Sequence, residues 1–322
     1  MSVSVYVHPR MKYTIFQKER TRDVLQSFGV RLVDTPELAN VLVGNHGGLI
    51  REFIDAFGDS KRYLLWTHEP MFWTSKEKWA VIAGQRVRTM SLHSGEVFFN
   101  NYYYASINPG EVCRATSPRR PLNRTVVMVA SAKMQGDPAR FGLEEGVELL
   151  TLRFQLAMEG HRRGQLDIYG MHWPPGISRG QSRYGHWSLS KYKILEQYDF
   201  NLCFENSLVP YYCSEKIWQA IYCGCLPIYF GQDAVYEDFP PESFLDYAML
   251  GSADALFDAV NRMSMREFRE RFDRCLRVFE RAYPLGHLAQ DQAARYAALQ
   301  LIALNMGAPA TADDAAIELA AR

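Results

Sequence analysis

Residues Tyr198–Gly231 read YDFNLCFENSLVPYYCSEKIWQAIYCGCLPIYFG. The two ends are apolar and short, as buried strands are. Between them, Ser214 stands as an N-cap for a helix over EKIWQAIYC, and Gly224 stands as its stop. Pro227 falls near the start of the second strand, where a missing N–H is tolerated. The unit is therefore strand, loop, helix, strand, the building block of a parallel α/β sheet. Its polar residues collect where such sheets bind ligands, at the carboxyl ends of the strands. Lys216 sits in the first helical turn, where the macrodipole disfavours a cation by some tenths of a kcal/mol. A lysine working against its own helix points to an anion nearby, such as a diphosphate; the alternative is a surface lysine paired with Glu215. Glu205, just past the first strand, reads either as a ligand for sugar hydroxyls or as a loop carboxylate capping a turn.

Working outward, the same rhythm recurs on both sides. SVYVH, VRLVD, ANVLVGN and RYLLWTHEP read as strands, and RTRDVLQSFG and LIREFIDAFG as helices that stop at Gly29 and Gly58. The Pro- and Arg-rich segment Ser117–Arg124 reads as an exposed linker. Beyond it come the strand TVVMVAS, a helix over 146–164, the strand QLDIYG and the helix LSKYKILEQ. MREFRERFDRCLRVFERA is a charged amphipathic helix, and the Ala-rich end over 306–322 reads as a flexible tail. GNHGG (Gly44–Gly48) follows a strand as a tight turn without a full phosphate-binding fingerprint. FFNNYYYAS (Phe98–Ser106) reads either as a buried strand or as an aromatic, amide-rich contact for sugar. MHWPPG (Met171–Gly176) reads as a Pro-rich loop bordering the cleft. The expected architecture is α/β with two Rossmann-like domains facing a central cleft, over 1–120 and 121–305.

Composition narrows the function. The 322 residues carry 36 basic and 36 acidic side chains, which argues against a nucleic-acid partner. Six cysteines show no two-residue spacing of a metal knuckle, and several lie in apolar runs, so buried thiols in a reducing cytoplasm are expected. No apolar run is long enough to span a bilayer, and no basic start followed by a long apolar core marks a signal peptide. Peripheral membrane contact stays compatible with the sequence.

FENS (Phe204–Ser207), YYCSEK (Tyr211–Lys216) and LPIYFG (Leu226–Gly231) together resemble the signature of the α-1,3-fucosyltransferases of glycosyltransferase family 10. Phe200, Phe204, Glu205, Asn206, Ser207, Tyr212, Glu215 and Lys216 match its pattern; Ser214 stands where the family usually has threonine. DFPPESFLD (Asp238–Asp246) resembles the segment that follows. Arg153, and Tyr169 with Gly170, match in order and approximate spacing. Glu69 with Pro70, in LLWTHEP, resembles the family's catalytic glutamate and its proline-containing loop. The resemblance covers roughly the second half of the chain.

That resemblance implies the GT-B architecture, GDP-β-L-fucose as donor, inversion at the anomeric carbon, and the soluble bacterial type. The acceptor expected is the 3-OH, or the 4-OH, of N-acetylglucosamine in a glycan such as N-acetyllactosamine. The 1–120 domain would bind the acceptor and the 121–305 domain GDP-fucose. Glu69 would be the catalytic base, with His68 as the alternative and Trp66 and Trp73 as an apolar wall. Arg153 and Lys216 would hold the diphosphate, and Asn206 the donor's oxygens. Glu205 and Tyr169 would hold fucose or position Lys216, while Glu215 would bind ribose and Tyr212 line the guanosine pocket. The chain has no Asp-x-Asp, the pair that commonly carries a nucleotide diphosphate on a divalent metal, so no obligatory metal and no cofactor are expected. The competing readings are a non-catalytic glycan- or nucleotide-binding protein and a GT-B enzyme using another sugar nucleotide.

Overall fold

The computed structural model describes residues 2–107, 121–132, 149–181 and 187–307, with the side chains of 187 and 188 excepted. Residues 117–120 of the expected linker, 146–148 of the expected helix, Cys113 and 308–322 of the expected tail lie outside them.

Contacts divide the chain into two units, 1–100 with 287–322, and 101–286. The expected division lay at 120 and 305. The later boundary falls at 286 because the last helix is divided between the two units.

Unit 1 begins with β1 (Val3–Val7), α1 (Glu19–Ser27), β2 (Val30–Leu32), β3 (Val41–Gly44), α2 (Gly47–Phe57) and β4 (Arg62–Trp66). Every one of these elements was legible from its apolar period. β5 (Trp79–Ile82) and β6 (Gln85–Met90) were not. They form an antiparallel hairpin whose turn residues, Ala83 and Gly84, both have positive φ (47° and 79°). Such a turn matches the right-handed twist of its strands. Here alanine occupies a position that usually signals itself with Asn or Asp. The sheet order is β2-β1-β3-β4-β6-β5, parallel except for β5. Leu42, Ile50, Phe53, Tyr63, Leu65 and Val87 share its core.

Unit 2 contains β7 (Val126–Val129), α3 (Leu149–Arg162), β8 (Leu166–Tyr169), α4 (Trp187–Leu195), β9 (Phe200–Leu202), α5 (Glu215–Tyr222), β10 (Leu226–Tyr229) and β11 (Leu245–Asp246). α6 (Tyr247–Leu250), α7 (Ala253–Arg262) and α8 (Met265–Met306) follow. The sheet is wholly parallel, in the order β11-β10-β9-β7-β8. The strand order reverses between β7 and β9, the point at which open α/β sheets bind ligands. Gly170 closes β8 with φ 138°, and a Cβ there would stand 2.2 Å from the Ala130 carbonyl oxygen, so glycine alone fits.

Two expectations need correction. Residues 98–104 form turns leading into a 3₁₀ segment, Ala105–Ile107, and not a strand. Asn101 and Tyr102 instead bond Asp238 within unit 2. The amphipathic helix expected over 265–282 continues through Pro284 to Met306. An internal proline disfavours a helix by about 3 kcal/mol. The buried alanines 289, 293, 294, 297 and 298 on the far side are strong helix formers that pack without entropy loss.

The last turns of α8 are tied into unit 1 by a buried polar knot. Arg88 and Glu96, each 3% exposed, form an ion pair. Gln300 accepts from Arg88, with Nη2 2.8 Å away, and Tyr296 donates to Glu96 at 2.8 Å. Removing one member of such a pair strands the other charge in the interior, at about 3–5 kcal/mol. Arg88→Met should therefore lower stability by roughly that amount in denaturant titration, and Arg88→Met with Glu96→Leu should recover more than half of the loss.

Candidate active site

Glu205 lies just past β9, and its side chain has no exposed surface. Its backbone N–H donates to the Phe230 carbonyl (2.9 Å), which continues the register of β9 against β10. Its carboxylate accepts four hydrogen bonds. One oxygen takes the Ser214 N–H (2.8 Å) and the Tyr229 hydroxyl (3.1 Å); the other takes the Ser214 hydroxyl (2.6 Å) and the Lys216 ammonium (3.2 Å). A buried carboxylate needs this degree of satisfaction, because an unpaired one is driven to neutralise. Ser214 occupies the N-cap position of α5, but its hydroxyl makes no capping bond. It donates to Glu205 and accepts from Lys216 (2.7 Å), so the hydroxyl serves the carboxylate and the ammonium instead of the helix end.

Lys216 is thereby fixed at the amino end of α5. It lies 3.9 Å from Glu215 and 5.8 Å above the Tyr212 ring. Burial pulls its pKa down, but the Glu205 and Glu215 carboxylates outweigh burial and hold it above the ordinary lysine value. The stabilisation this represents is present in full below the unfolded pKa and is lost only as pH rises through the raised folded value. For Glu215, burial opposes ionisation, but Lys216 and Lys191 outweigh it and leave its pKa below the usual carboxylate value.

Arg153 arrives from α3 and is 5% exposed, so it is no surface residue of its helix. Its Nη1 donates to the Phe204 carbonyl (3.3 Å) and to Asn206 Oδ1 (3.2 Å). Asn206 in turn donates from Nδ2 to the Tyr212 hydroxyl (3.3 Å). Arg153, Asn206, Tyr212, Glu205, Glu215 and Lys216 are thus one connected cluster, beside the strand-order reversal. Tyr169 stands apart, at the end of edge strand β8. Its hydroxyl pairs with that of Tyr198 (3.3 Å), which donates to Asp167 (2.7 Å). An open pocket of about 410 Å³ adjoins Gly170 and is lined in part by His172, Trp173 and Ser178.

In unit 1, Glu69 follows β4. The Thr67 hydroxyl accepts the Glu69 N–H (3.1 Å), and the Glu69 carbonyl accepts the Phe72 N–H (3.1 Å), so two local turns set its position. Trp66 is a core residue, with its ring edge-on to Phe16 and His68. Trp73 packs near Gly47 and Ile82.

With this geometry in place, residues 152–273 match the family described as glycosyltransferase family 10 (fucosyltransferase), C-terminal. Residues 152–273 are thus similar to glycosyltransferase family 10. The matched span contains every member of the cluster on α3, β9 and α5. Among curated relatives, the α-(1,3)-fucosyltransferase FucT of Helicobacter pylori is 39% identical over 71 residues, 22% of this chain and 15% of that protein. The α-(1,4)-fucosyltransferase of Arabidopsis thaliana is 38% identical over 69 residues, 21% of this chain and 17% of that protein. The match to each thus spans about a sixth of the relative's length. A crystal structure of an α1,3-fucosyltransferase aligns over 84% of this chain and 81% of its own, with 16% identity and a TM-score of 0.49.

The matched span also contains a residue on which the sequence analysis is silent. Lys191 on α4 is 9% exposed, and burial lowers its pKa while Glu215 opposes the shift. Lys191 and Leu195 stand four apart on one face, so a lysine on an apolar stripe was the available signal. Arg153 and Lys216 set two cationic side chains beside the two carboxylates of Glu205 and Glu215, and Lys191, its pKa lowered by burial, stands within electrostatic reach of Glu215. Among the described residues, no group of three or more His, Cys, Asp or Glu could hold a metal ion, and no helix is long and apolar enough to cross a membrane.

Glu205→Gln removes the charge that faces Lys216 and turns an amide N–H₂ toward either the Ser214 N–H or the Lys216 ammonium, neither of which can accept. It should lower stability by about 3 kcal/mol, whereas Tyr229→Phe, which removes one of the four bonds, should lower it by about 1 kcal/mol. Thermal and denaturant unfolding of the two variants side by side check the ordering.

Proposed function

We propose that the protein is an inverting fucosyltransferase. It moves L-fucose from GDP-β-L-fucose to the 3-OH, or the 4-OH, of N-acetylglucosamine in a glycan such as N-acetyllactosamine. The observation that carries this reading is the cluster of Arg153, Asn206, Tyr212, Glu205, Ser214 and Lys216 within the span that matches family 10, with the Lys216 ammonium fixed at the amino end of α5 and Arg153 close enough to act on it. Helix amino ends and fixed cations together favour a diphosphate.

Inversion takes a single displacement. Glu69 removes the proton from the acceptor hydroxyl as that oxygen bonds to C1 of fucose. The C1–O bond to the diphosphate breaks on the opposite face, and GDP leaves with the electron pair. Lys216 and Arg153 hold the diphosphate; because its charge grows as the bond breaks, fixed cations stabilise the transition state more than the ground state. Asn206 orients donor oxygens, Glu215 takes the ribose hydroxyls and Tyr212 lines the guanosine site. Of the two roles expected for Glu205, its full burial favours positioning Lys216 over touching fucose. Tyr169, two strands from β9, is assigned to the fucose side of the donor. Unit 1 binds the acceptor and unit 2 the donor. Side-chain cations serve in place of a divalent metal. A cytoplasmic location is supported by the buried free thiols of Cys203, Cys213, Cys223, Cys225 and Cys275.

Incubation with GDP-fucose and N-acetyllactosamine should add one deoxyhexose, read by mass spectrometry. Glu69→Gln should lower kcat by about 10²–10⁴, the usual contribution of a general base, and leave GDP-fucose affinity nearly unchanged in calorimetry. Transfer at the wild-type rate by Glu69→Gln would remove Glu69 from the mechanism.

A further inference from the structure

Four of the chain's eight histidines stand just past the carboxyl ends of neighbouring parallel strands in unit 1: His8 after β1, His46 after β3, His68 after β4 and His93 after β6. The strand order of this sheet reverses between β1 and β3, so His8 and His46 flank its switch point.

Their hydrogen bonds fix their chemistry. His8 Nδ1 accepts the Arg10 N–H (3.2 Å), and His46 Nδ1 accepts the Gly48 N–H (3.1 Å). A ring nitrogen that accepts an N–H carries no proton, so both imidazoles are neutral and carry hydrogen on Nε2. His8 Nε2 faces Glu52 at 3.4 Å. His46 Nε2–H has no hydrogen-bond partner among the described residues. The ring of His46 meets that of Phe72 edge to face at 5.7 Å. Phe72 is 37% exposed, and its N–H bonds the Glu69 carbonyl. An exposed aromatic ring, a free N–H donor and a carboxylate-bearing residue are therefore linked through one turn. Asn45 Oδ1 and Trp73 Nε1 beside them are buried without a partner among the described residues, so the local polar inventory exceeds what the chain satisfies.

The surrounding charge decides which ligand suits this spot. Arg10 is the cation that acts on His8 and His46, and one of its nitrogens contacts both carboxylate oxygens of Glu52. Glu52 takes up that charge, the two imidazoles are neutral and Glu69 shares the loop of Phe72, and together these oppose the modest pull of the α2 amino end on an anion. A neutral polyol fits: its hydroxyls accept from an imidazole N–H, and the C–H face of a pyranose carries the slight positive charge that an aromatic face attracts.

We propose that Phe72 and His46 form the acceptor subsite for an uncharged hexopyranose, stacked on Phe72 and hydrogen-bonded to His46 Nε2–H, with its reactive hydroxyl toward Glu69. The subsite rests on the reading of Glu69 as base and adds to it a preference for neutral over sialylated or sulfated sugars at this position.

The test uses the full chain with GDP present and measures both binding to immobilised neutral and acidic glycans and fucose transfer in solution. Phe72→Ala and His46→Asn should each raise the acceptor KM, or weaken glycan binding, about tenfold, and leave the KM for GDP-fucose unchanged. Phe72→Tyr keeps the ring and should retain acceptor affinity. Asparagine caps helices well, so His46→Asn preserves α2 while removing the Nε2–H donor. Unchanged acceptor affinity in Phe72→Ala and His46→Asn would overturn the subsite and leave the transferase reading standing, as would equal use of acidic and neutral acceptors. Wild-type glycan binding that these variants abolish, without any transfer of fucose, would support the subsite and sink the transferase reading. No glycan binding and no transfer by the wild type would overturn both.

Discussion

The candidate donor site depends on a carboxylate that water cannot reach. Glu205 sits between β9, β10 and the start of α5, and it takes donors from three places at once: Tyr229 on β10, the backbone and hydroxyl of Ser214, and the ammonium of Lys216. An ionised carboxylate in such a place is tolerated only while all of its partners hold. The same bonds that stabilise the interior therefore fix the direction in which the amino end of α5 points. Lys216, which its own helix dipole disfavours, is kept in place by this arrangement. Rigidity of this kind matters for catalysis, since a preorganised cation needs no reorganisation as negative charge develops.

A second chain of bonds runs alongside the first. Arg153 reaches from α3 to Asn206, and Asn206 reaches on to Tyr212, whose ring lies beneath Lys216. Two cations are thus held near each other by neutral and acidic intermediaries rather than by direct contact. Repulsion between them is real: Arg153 is among the influences that lower the pKa of Lys216. The carboxylates of Glu205 and Glu215 offset that repulsion. In unit 1 the logic is reversed, because neutral imidazoles and a saturated arginine line the strand ends.

Much of this was legible before any coordinates. Each strand and helix of the first sixty-six residues follows from apolar period and stop glycines, and β9–α5–β10 follows from one thirty-four-residue stretch. Less was legible where local rules gave way to packing. The β5–β6 hairpin turns through Ala83, which carries no turn signature. α8 runs through Pro284 because the alanines beyond it bury well. Residues 98–104 carry strand-like aromatics, yet Asn101 and Tyr102 commit to Asp238, far along the chain.

The sequence by itself determined which residue types stand at the carboxyl ends of the strands, because strand and helix periods depend on neighbours a few positions away. It also determined the family 10 signature from Phe200 to Lys216. Only the tertiary structure decided what those residues do to one another. Glu205 could equally have faced solvent and sugar; it is buried because Tyr229 and Ser214 close over it. Ser214 could have capped α5; its hydroxyl is instead drawn to a stronger, charged acceptor. Lys191, silent in the sequence, becomes part of the site only when α4 brings it to Glu215. Hydrogen bonds and charge act through space, across separations in sequence that no local period records.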